Sequence, residues 1–592
     1  MAGKKLINSV PSVVSDACQG LLLSTSDLAQ VGELNIVVRA DIERYKQDHV
    51  SLISGGGSGH EPAHAGYCGV GMLSAAVLGN VYASPSVSQI LAAIRTCTGP
   101  KGTLLIIKNY TGDRLNFGMA LEKAKAEGFK VAMVVVADDC ALPEGKGITG
   151  GRGVAGTVFV HKIAGAAAAA GLSLEEVTAK AQAASVSLGS LGIALTTCTV
   201  PGAPPSTRLD EKNKYEVGLG IHGEPGRETR FFSEGATNNA DSVADTLVEA
   251  ILDRMRIGSN WAVASVMSGF FGYSGQPVAI MLNNLGALPA IELYVVARRV
   301  VKALKGRGLA VVRVYIGAFM TALDMSGLSL TVFKVNADQM IALDAATSAP
   351  GWVPATALDG TGSSKTITYS EDSFATSIRG GPPCPGASRI AAAVARAIID
   401  NEPELTRCDS VCGDGDCGIV MKAGATAILS LSSGALVAAE ADAAGFCDLL
   451  ATTISSSMGG TSGALLELFF RAAANSFANA SGPRNWSDAL SAGVEAMSFY
   501  GGASVGMRTM LDALVPAVAA FSAATAQRAT AVDAASVARA AAEAAQTGAD
   551  ATKTMGSLAG RSNYVNEGAM RGTPDPGALA VAVAFAAAEK SL

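Results

Sequence analysis

Two histidines, a lysine and an aspartate stand beside glycines where short apolar runs of the sequence end. His60 and His222 each follow such a run, and Lys108 ends a third run, five positions before Asp113. Open α/β sheets bind ligands at the carboxyl ends of their strands, where glycines let backbone N–H groups approach a ligand closely. Imidazole, ammonium and carboxylate groups supply nucleophilic and acid–base chemistry. The pattern therefore predicts an active site for a small molecule.

A hydrogen-bonded structural role is the ordinary interpretation of any one such histidine. Only five histidines occur in the chain, however, and two of them, His60 and His222, fall at glycine-rich strand ends. The combination with Lys108 and Asp113 favours a functional site over four independent structural roles.

The second half of the sequence has a cluster of acidic residues in a weakly charged chain. Asp409, Asp414 and Asp416 lie within eight positions, whereas only 16% of all residues are charged. Carboxylates this close repel one another unless a cation lies among them, and their oxygens suit Mg²⁺, which takes further oxygens from substrate phosphates. The neighbouring cysteines lack the paired spacing of a zinc site. The cluster predicts a magnesium centre.

The composition favours a large globular protein. The chain has 592 residues, of which 49% are apolar, and a net charge of −6, which argues against a disordered chain and against non-specific nucleic-acid binding. Ten cysteines are too few for a disulfide scaffold, and the N-terminal residues lack the apolar core of a secretion signal. Polar residues and proline interrupt the two long uncharged stretches, so no membrane span is predicted. We expect a cytoplasmic protein without a nucleic-acid partner.

The elements that position these side chains differ between the two halves. Up to about residue 335, short β-branched runs alternate with helix-length segments, which is typical of an α/β layer structure. The predicted strands are residues 50–54, 103–108, 130–137, 192–199, 215–221, 278–282 and 310–316. From about residue 389, apolar residues three and four apart predict helices. These helices include residues 390–399, 461–478, 507–525 and 536–546.

A stretch rich in proline, serine, threonine and glycine separates the two halves and predicts an extended linker. We therefore predict a multidomain protein. An α/β substrate domain occupies residues 1–340, a linker occupies residues 341–386, and an all-helical domain occupies residues 387–592.

Several motifs of the first half resemble the substrate domain of dihydroxyacetone kinases. They are residues 57–62, 108–113 and 218–226, with residues 283–286 and 319–325 resembling the second lobe of that domain. The resemblance spans residues 3–335 and implies two α/β lobes. It also implies that His222 bonds to the ketone carbon of dihydroxyacetone as a hemiaminal, that His60 hydrogen-bonds the bound triose, and that Asp113 binds the reacting hydroxyl and accepts its proton. The implied contacts to other substrate oxygens come from Gly57, Ser58, Gly59 and Lys108.

The second half, over residues 387–592, resembles the nucleotide domain of the same family. The resemblance implies an antiparallel helical barrel in which Asp409, Asp414 and Asp416 hold two Mg²⁺ ions on the ATP phosphates. The implied nucleotide-binding residues are Cys417, Gly418, Ile419, Val420, Gly460, Thr461, Ser462, Gly501, Met510, Arg561, Asp575, Pro576 and Gly577. The chain departs from the family pattern at Cys417, where many members have histidine, and at Met507, where aspartate is common.

Both domains in one chain imply a single-polypeptide, ATP-dependent kinase of dihydroxyacetone and glyceraldehyde that forms homodimers. Two other functions stay open at this point. Animal members resembling this chain also split FAD into AMP and cyclic FMN with Mn²⁺, and a sensor could bind dihydroxyacetone without catalysis. The sequence leaves open which triose is preferred and whether the second reaction occurs.

Overall fold

The computed structural model divides the chain into two compact units, residues 1–366 and 367–592. The residues that it describes are 4–141, 150–235, 239–256, 275–358, 379–431, 433–479, 485–526, 533–559, 562, 565 and 567–592. None of the helices in this described part combines the length and hydropathy that a membrane span requires.

The first unit contains a six-stranded sheet with the order β1-β2-β4-β3-β5-β6. Its strands are β1 (Leu28–Gln30), β2 (Ile36–Arg39), β3 (Ser51–Ser58), β4 (Ala75–Val81), β5 (Thr103–Lys108) and β6 (Val131–Val136). The last four strands run parallel to one another. Leu104 and Ile106 pack into one core on one face of the sheet, and Leu105 and Ile107 into another core on the opposite face. Because both faces of the sheet are covered at β5, the sequence of this strand is a continuous apolar run.

A seven-stranded sheet with the order β13-β11-β10-β12-β7-β8-β9 completes this unit. Its strands are β7 (Leu188–Ala194), β8 (Lys214–Val217), β9 (Glu228–Phe231), β10 (Gln276–Asn284), β11 (Leu309–Gly317), β12 (Gly327–Lys334) and β13 (Thr356–Ala357). The helices of the unit are α1 (Val13–Ser24), α2 (Ile42–Asp48), α3 (Val87–Cys97), α4 (Thr111–Ala126), α5 (Thr157–Ala169), α6 (Leu174–Ser185), α7 (Asn239–Arg254), α8 (Ala290–Gly306) and α9 (Ala337–Asp344). Helices α7 and α8 cover one face, whereas the other face shares its core with the first sheet.

Every predicted strand has an observed counterpart, but three of them differ from the prediction by four or more residues at one or both ends. Strand β3 continues through the glycines to Ser58, because Gly55–Gly57 pair with β4. Strand β7 begins at Leu188 and crosses Gly189, where a side chain would collide with Met255. Strand β8 ends at Val217, so His222 lies in a tight turn, closed by a hydrogen bond from Gly223 to Gly220, rather than directly after a strand.

The beginning of the predicted linker belongs to the first unit. Residues 341–344 lie in α9, Trp352 packs against the core around Phe159, and β13 pairs with β11. At its other end, Gly380 and Gly381 donate to Asp442 and thereby join the second unit. The predicted linker is therefore too long at both ends.

The second unit is all helical. Its helices are α10 (Ala387–Asp400), α11 (Glu402–Cys412), α12 (Cys417–Ser430), α13 (Ser433–Ala439), α14 (Ala443–Ser457), α15 (Gly460–Asn479), α16 (Trp486–Gly501), α17 (Leu511–Ala526), α18 (Ala534–Ala551), α19 (Glu567–Met570) and α20 (Pro576–Lys590). Helices α10, α12, α14, α15, α16, α17, α18 and α20 pack in that order, and α20 returns to α10. This closed ring is the predicted helical barrel.

Small side chains let the helices of the ring approach closely. Six buried alanines form the contact among α17, α18 and α20: Ala513, Ala517, Ala545, Ala549, Ala578 and Ala582. The helices of the barrel line a partly open cavity of about 860 Å³, with mainly apolar side chains. Helix α17 begins at Leu511, four residues later than predicted, because the preceding turn places Arg508 in the left-handed region with a φ of 60°.

Candidate active site

The two histidines singled out from the sequence face each other in the first unit. His60 Nε2 lies 3.1 Å from His222 Nε2, and the ring centroids are 4.8 Å apart. His60 is fully buried, and its Nδ1 donates a hydrogen bond to the carbonyl of Thr321 at 2.7 Å. Burial, followed by the charges of Lys108 and His222, lowers the pKa of His60 well below its usual value. His60 is therefore an uncharged imidazole with one fixed tautomer.

Glu224 orients His222 from the opposite side of the ring. The carboxylate accepts hydrogen bonds from His222 Nδ1 at 2.9 Å and from its backbone N–H at 3.1 Å. Burial raises the pKa of Glu224, but the hydrogen bond and charge of His222 outweigh this effect and lower it to about 2. Tyr82 and Tyr110 contact the same ring edge-on, with centroid distances of 4.8 and 4.7 Å. These contacts hold the ring in a single orientation.

Lys108 and Asp113 lie where β5 passes into α4. Lys108 is fully buried, and its Nζ has no hydrogen-bond partner among the described residues. Burial lowers the pKa of Lys108, and the charge of Asp113 partly offsets this. Asp113 lies in the first turn of α4, where the helix dipole stabilises a carboxylate, and accepts a hydrogen bond from Ser84. The pair combines a buried cation that can donate hydrogen bonds with a carboxylate that can accept them.

The glycine-rich end of β3 approaches this pair. A side chain at Gly56 would lie 3.4 Å from Asp113 Oδ2 and 3.5 Å from Lys108 Nζ. Gly57 instead packs against Tyr82, and Ser58 donates its hydroxyl hydrogen to a backbone carbonyl of β4. The backbone N–H of Gly59 donates to Glu61. Roles for Gly57, Ser58 and Gly59 in substrate binding therefore stay predictions.

Three buried histidines make the stability of this unit depend on pH. Burial, followed by the charge of Lys108, lowers the pKa of His60, His64 and His161, and that of His161 falls to about 3. In the unfolded chain, each histidine takes up a proton near its ordinary value of about 6.5. Below this pH the unfolded state binds more protons than the folded state. The free energy of unfolding therefore falls as the pH drops from about 6.5.

We expect His161→Gln to reduce this pH dependence. The buried glutamine titrates in neither state, so the loss of unfolding free energy between pH 7.5 and 5.0 should shrink by about 2 kcal/mol. Urea denaturation at both pH values measures the loss. His49→Gln is the control, because His49 lies at the surface edge of α2 stacked on Tyr45 and is not enclosed. Equal losses in His161→Gln and the unmodified protein would contradict the expectation.

The three aspartates of the second unit come together as the sequence predicts. Asp409, near the end of α11, and Asp414 and Asp416, in the following loop, each offer a ligand atom within 4.8 Å of the others. Asp409 is buried and accepts a hydrogen bond from the backbone N–H of Cys417 at 2.9 Å, which orients its carboxylate. Asp414 and Asp416 are exposed. Three convergent carboxylates fit a hard divalent cation such as Mg²⁺.

Several predicted nucleotide-binding residues lie at helix ends, and Cys417, Ser462 and Asp575 are among those close to this cluster. Cys417 begins α12 and contacts Ser462 in the first turn of α15. Gly577 is so close to Met510 and Asp575 that a side chain there would lie 3.1 Å from each. Burial raises the pKa of Asp575 to about 6, although its hydrogen bond from Ala578 opposes this.

The other predicted nucleotide contacts also begin or end helices, apart from Arg561, which lies outside the described residues. Those contacts are Gly418, Ile419 and Val420 in α12, Gly460 and Thr461 in α15, Gly501 at the end of α16 and Pro576 in α20. Backbone N–H groups at the first turns of α12, α15 and α20 are suited to bind phosphate.

The same two units are recognised in known proteins. The Dak1 domain matches residues 19–351, and the DAK2 domain matches residues 411–590. The chain belongs to the dihydroxyacetone kinase family. The identification and the α/β-plus-helical fold predicted from the sequence are thereby confirmed.

Relatives of this family member match over most of its length. The triokinase/FMN cyclase of Homo sapiens is 39% identical, and the alignment covers 98% of both chains. The crystal structure of the dihydroxyacetone kinase from Citrobacter freundii with AMP-PNP and Mg²⁺ is 35% identical, with a TM-score of 0.62 and full coverage of both chains. The dihydroxyacetone kinase operon co-activator Dha-DhaQ is 33% identical with a TM-score of 0.52, and covers 59% of this chain and 99% of its own.

Sequence reasoning missed several residues that shape the site. Glu224 lies only two positions after His222, so its place in the motif could have signalled its role. Tyr82 and Ser84 follow β4, a strand that the sequence does not predict, and no local signal marks them. Tyr110 adjoins Lys108, within a motif already singled out.

Proposed function

We propose that this protein transfers the terminal phosphoryl group of ATP to dihydroxyacetone, with glyceraldehyde as a second substrate. The arrangement of His222 between Glu224 and His60, beside Lys108 and Asp113, carries the proposal. It supplies a nucleophilic nitrogen, hydrogen-bond donors and a carboxylate base within one buried site. The relatives are named as kinases of this substrate class, and a member with AMP-PNP and Mg²⁺ matches the whole chain.

The proposed capture of the triose is an addition to its carbonyl group. His222 Nε2 bonds to the ketone carbon, the electron pair of the broken π-bond moves to the oxygen, and that oxygen takes a proton from water to form a hemiaminal. Glu224 accepts a hydrogen bond from Nδ1–H, which leaves the reactive lone pair on Nε2, and its charge stabilises the positive charge of the alkylated ring. Glycerol has no carbonyl, so selectivity against it follows from bond formation.

Phosphoryl transfer requires removal of a proton from the triose hydroxyl. Asp113 is the proposed base, and Ser84 holds its carboxylate. The buried ammonium of Lys108 can donate hydrogen bonds to other triose oxygens. His60, which lies next to His222, is proposed to hydrogen-bond the captured triose. Each group thus has a separate task in binding or proton transfer.

ATP is proposed to bind at the acidic cluster of the second unit. Asp409, Asp414 and Asp416 would hold Mg²⁺, as one or two ions, against the phosphates. A cation held by these carboxylates would offset the charge of the triphosphate during transfer. The first turn of α15, with Thr461 and Ser462, provides N–H and hydroxyl groups for the phosphates.

A coupled assay of ADP release tests the proposal. Dihydroxyacetone, glyceraldehyde and glycerol are compared at equal concentration with ATP and Mg²⁺. We expect turnover with the two carbonyl compounds and none above background with glycerol. Equal turnover of glycerol would exclude selection by covalent capture, whereas triose binding without ADP release would favour a sensor. A sensor needs no metal centre, and the co-activator relative covers only 59% of this chain.

Cleavage of FAD into AMP and cyclic FMN is a second proposed activity. The observation that favours it is the 39% identity to a triokinase/FMN cyclase across 98% of both chains. In this reaction, a ribityl hydroxyl of FAD attacks phosphorus within the same molecule, so no separate acceptor is required. Mn²⁺ is the proposed ion, because it tolerates less regular coordination of the pyrophosphate.

The variant Asp113→Asn should separate the two activities. Its amide can still pair with Ser84 but is no proton acceptor, so triose phosphorylation should fall by at least about 100-fold. FAD cleavage, which uses no triose, should stay within twofold. Chromatography of ADP, AMP and cyclic FMN measures both, with the exposed Asp27→Asn as the control. Loss of both activities in Asp113→Asn would contradict the expectation that they use separate sites. If the unmodified protein forms no cyclic FMN, only the kinase activity remains as a proposal.

The proposed setting is a cytoplasmic homodimer. All ten cysteines are buried and free of disulfides, which suits a reducing compartment. Homodimers are what the family resemblance implies, and sedimentation of the purified chain would test this state.

A further inference from the structure

Arg508 is a fully buried cation in the turn before α17. It is 1% exposed, and its φ of 60° places it in the left-handed region. Burial of a guanidinium and this backbone conformation are both unfavourable unless the surroundings compensate for them. Neither the metal ligands nor the proposed nucleotide contacts include this residue, so its burial calls for a separate explanation.

The side chain of Arg508 joins three separate segments of the second unit. Its Nε donates to the carbonyl of Thr552 at 3.2 Å, after the end of α18. Its Nη2 donates to the carbonyl of Thr573 at 2.9 Å and to Cys412 Sγ at 3.1 Å. Cys412 is the last residue of α11, and Thr573 lies two positions before Asp575. One guanidinium therefore holds the start of the acidic loop against the segment that leads into α20.

Buried acidic groups belong to the same region as this cation. Asp409, Asp512 and Asp575 are all buried, and Arg508 and Asp409 both interact electrostatically with Asp575. Asp512 also fixes the turn that carries Arg508, because its carboxylate accepts hydrogen bonds from the backbone N–H groups of Gly506 and Thr509. Asp512 thus holds the turn, and Arg508 contributes a positive charge that acts on Asp575.

The contacts of Arg508 lead directly to the proposed metal ligands. Asp409 precedes Cys412 by three positions on α11, while Asp414 follows it by two. A shift of the Cys412 end of α11 would therefore move ligands on both sides of it. Residues that orient metal ligands without touching the ion commonly affect metal affinity by about 10- to 100-fold.

We propose that Arg508 is a positioning residue for the metal centre. It fixes Cys412 and the adjoining acidic loop relative to the segment before Asp575, so that the three carboxylates converge before the cation arrives. The inference rests on the proposed metal site at Asp409, Asp414 and Asp416. It requires that metal affinity depend on Arg508 while triose capture in the first unit does not.

Binding of Mn²⁺, followed by electron paramagnetic resonance without substrate, tests the proposal apart from catalysis. In Arg508→Met the dissociation constant should rise at least about tenfold, and in Arg508→Lys, which keeps the charge but lacks the planar fork, by a smaller factor. The Mg²⁺ concentration for half-maximal ADP release should shift in parallel. Arg539→Met is the control, since Arg539 is exposed on α18 and pairs with Glu589.

Cys412 offers a milder variant that leaves both carbonyl contacts of Arg508 in place. Cys412→Ala removes one of the two acceptors of Nη2, whereas Cys412→Ser replaces the sulfur acceptor by an oxygen. Weaker Mn²⁺ binding in the alanine variant, with recovery in the serine variant, would support the proposal even if Arg508→Met fails to fold.

Two results would overturn the inference, and they are distinguishable. Folded Arg508→Lys and Cys412→Ala variants with a lowered Tm but unchanged Mn²⁺ affinity would show a purely structural role. Absence of Mn²⁺ binding in the unmodified protein would exclude the proposed metal site itself, and the positioning role with it.

Discussion

Replacement of His222 by alanine is expected to abolish triose phosphorylation while nucleotide binding persists. The imidazole would hold the triose through a covalent bond, and loss of such fixation lowers a rate by at least about 1,000-fold. His222 lies in the first unit, whereas the acidic cluster lies in the second, so AMP-PNP affinity should stay within twofold. Steady-state ADP release and calorimetric titration with AMP-PNP measure the two effects.

Direct observation of the adduct makes this expectation sharper than the rate alone. Crystals soaked with dihydroxyacetone should show continuous density from His222 Nε2 to the triose, and none in His222→Ala. His49→Ala is the matched control, because His49 stacks on Tyr45 away from the site. Density for a detached triose in fully active, unmodified protein would refute covalent capture.

Two substitutions of Glu224 test how strongly its carboxylate supports the role of His222. In Glu224→Gln the amide oxygen can still accept a hydrogen bond from His222 Nδ1. The negative charge that stabilises the positively charged, alkylated ring is lost. The variant should therefore retain more activity than Glu224→Ala and less than the unmodified protein. Equal activity of all three would show that the carboxylate does not support His222.

The active-site residues could be predicted from sequence to the extent that their signal is local. His60 and His222 stand out by type and by adjacent glycines, although they are 162 positions apart. The 3.1 Å contact between their rings depends on how the two sheets share one core, which no local pattern shows. The sequence thus predicts which residues belong to the active site, whereas their relative positions can be seen only in the folded structure.

Backbone conformation explains most of the other differences. The glycines of β3 have no side chains to produce an apolar pattern, yet they pair with β4 and place Gly56 against Lys108. Tyr82, with a φ of 58°, contacts both histidines from a loop after that unpredicted strand. Such positions are determined by long-range packing rather than by propensity.

The helical unit illustrates the same distinction. Alanine-rich periodicity predicts helices that pack closely, and the alanine contact among α17, α18 and α20 agrees with it. Closure of the ring by α20 against α10 joins the two ends of the unit and has no sequence signal. The burial of Arg508 has no sequence signal either, because a single arginine in a turn gives no indication of burial.

Removal of one carboxylate from the acidic cluster is the second change with a large expected effect. Asp414→Asn and Asp416→Asn each remove a charged ligand at the loop, and Asp409→Asn removes the buried one while its amide oxygen can still accept from Cys417. Each should lower Mg²⁺-dependent ATP turnover by about 1,000-fold, since cation stabilisation of the transferred group is worth several kcal/mol. Triose capture at His222 should be unaffected.

The metal dependence, rather than the loss of rate, decides whether these aspartates are ligands. If they are, the variants should need much more Mg²⁺ for half-maximal turnover, and excess Mg²⁺ should recover part of the activity. Asp442→Asn is the matched control, because Asp442 caps α14 and accepts from Gly380 and Gly381. It should lower the Tm without shifting the Mg²⁺ requirement. Near-normal turnover of Asp414→Asn and Asp416→Asn at low Mg²⁺ would place the metal centre elsewhere. Neutralising a carboxylate that binds the ion must weaken the binding of that ion.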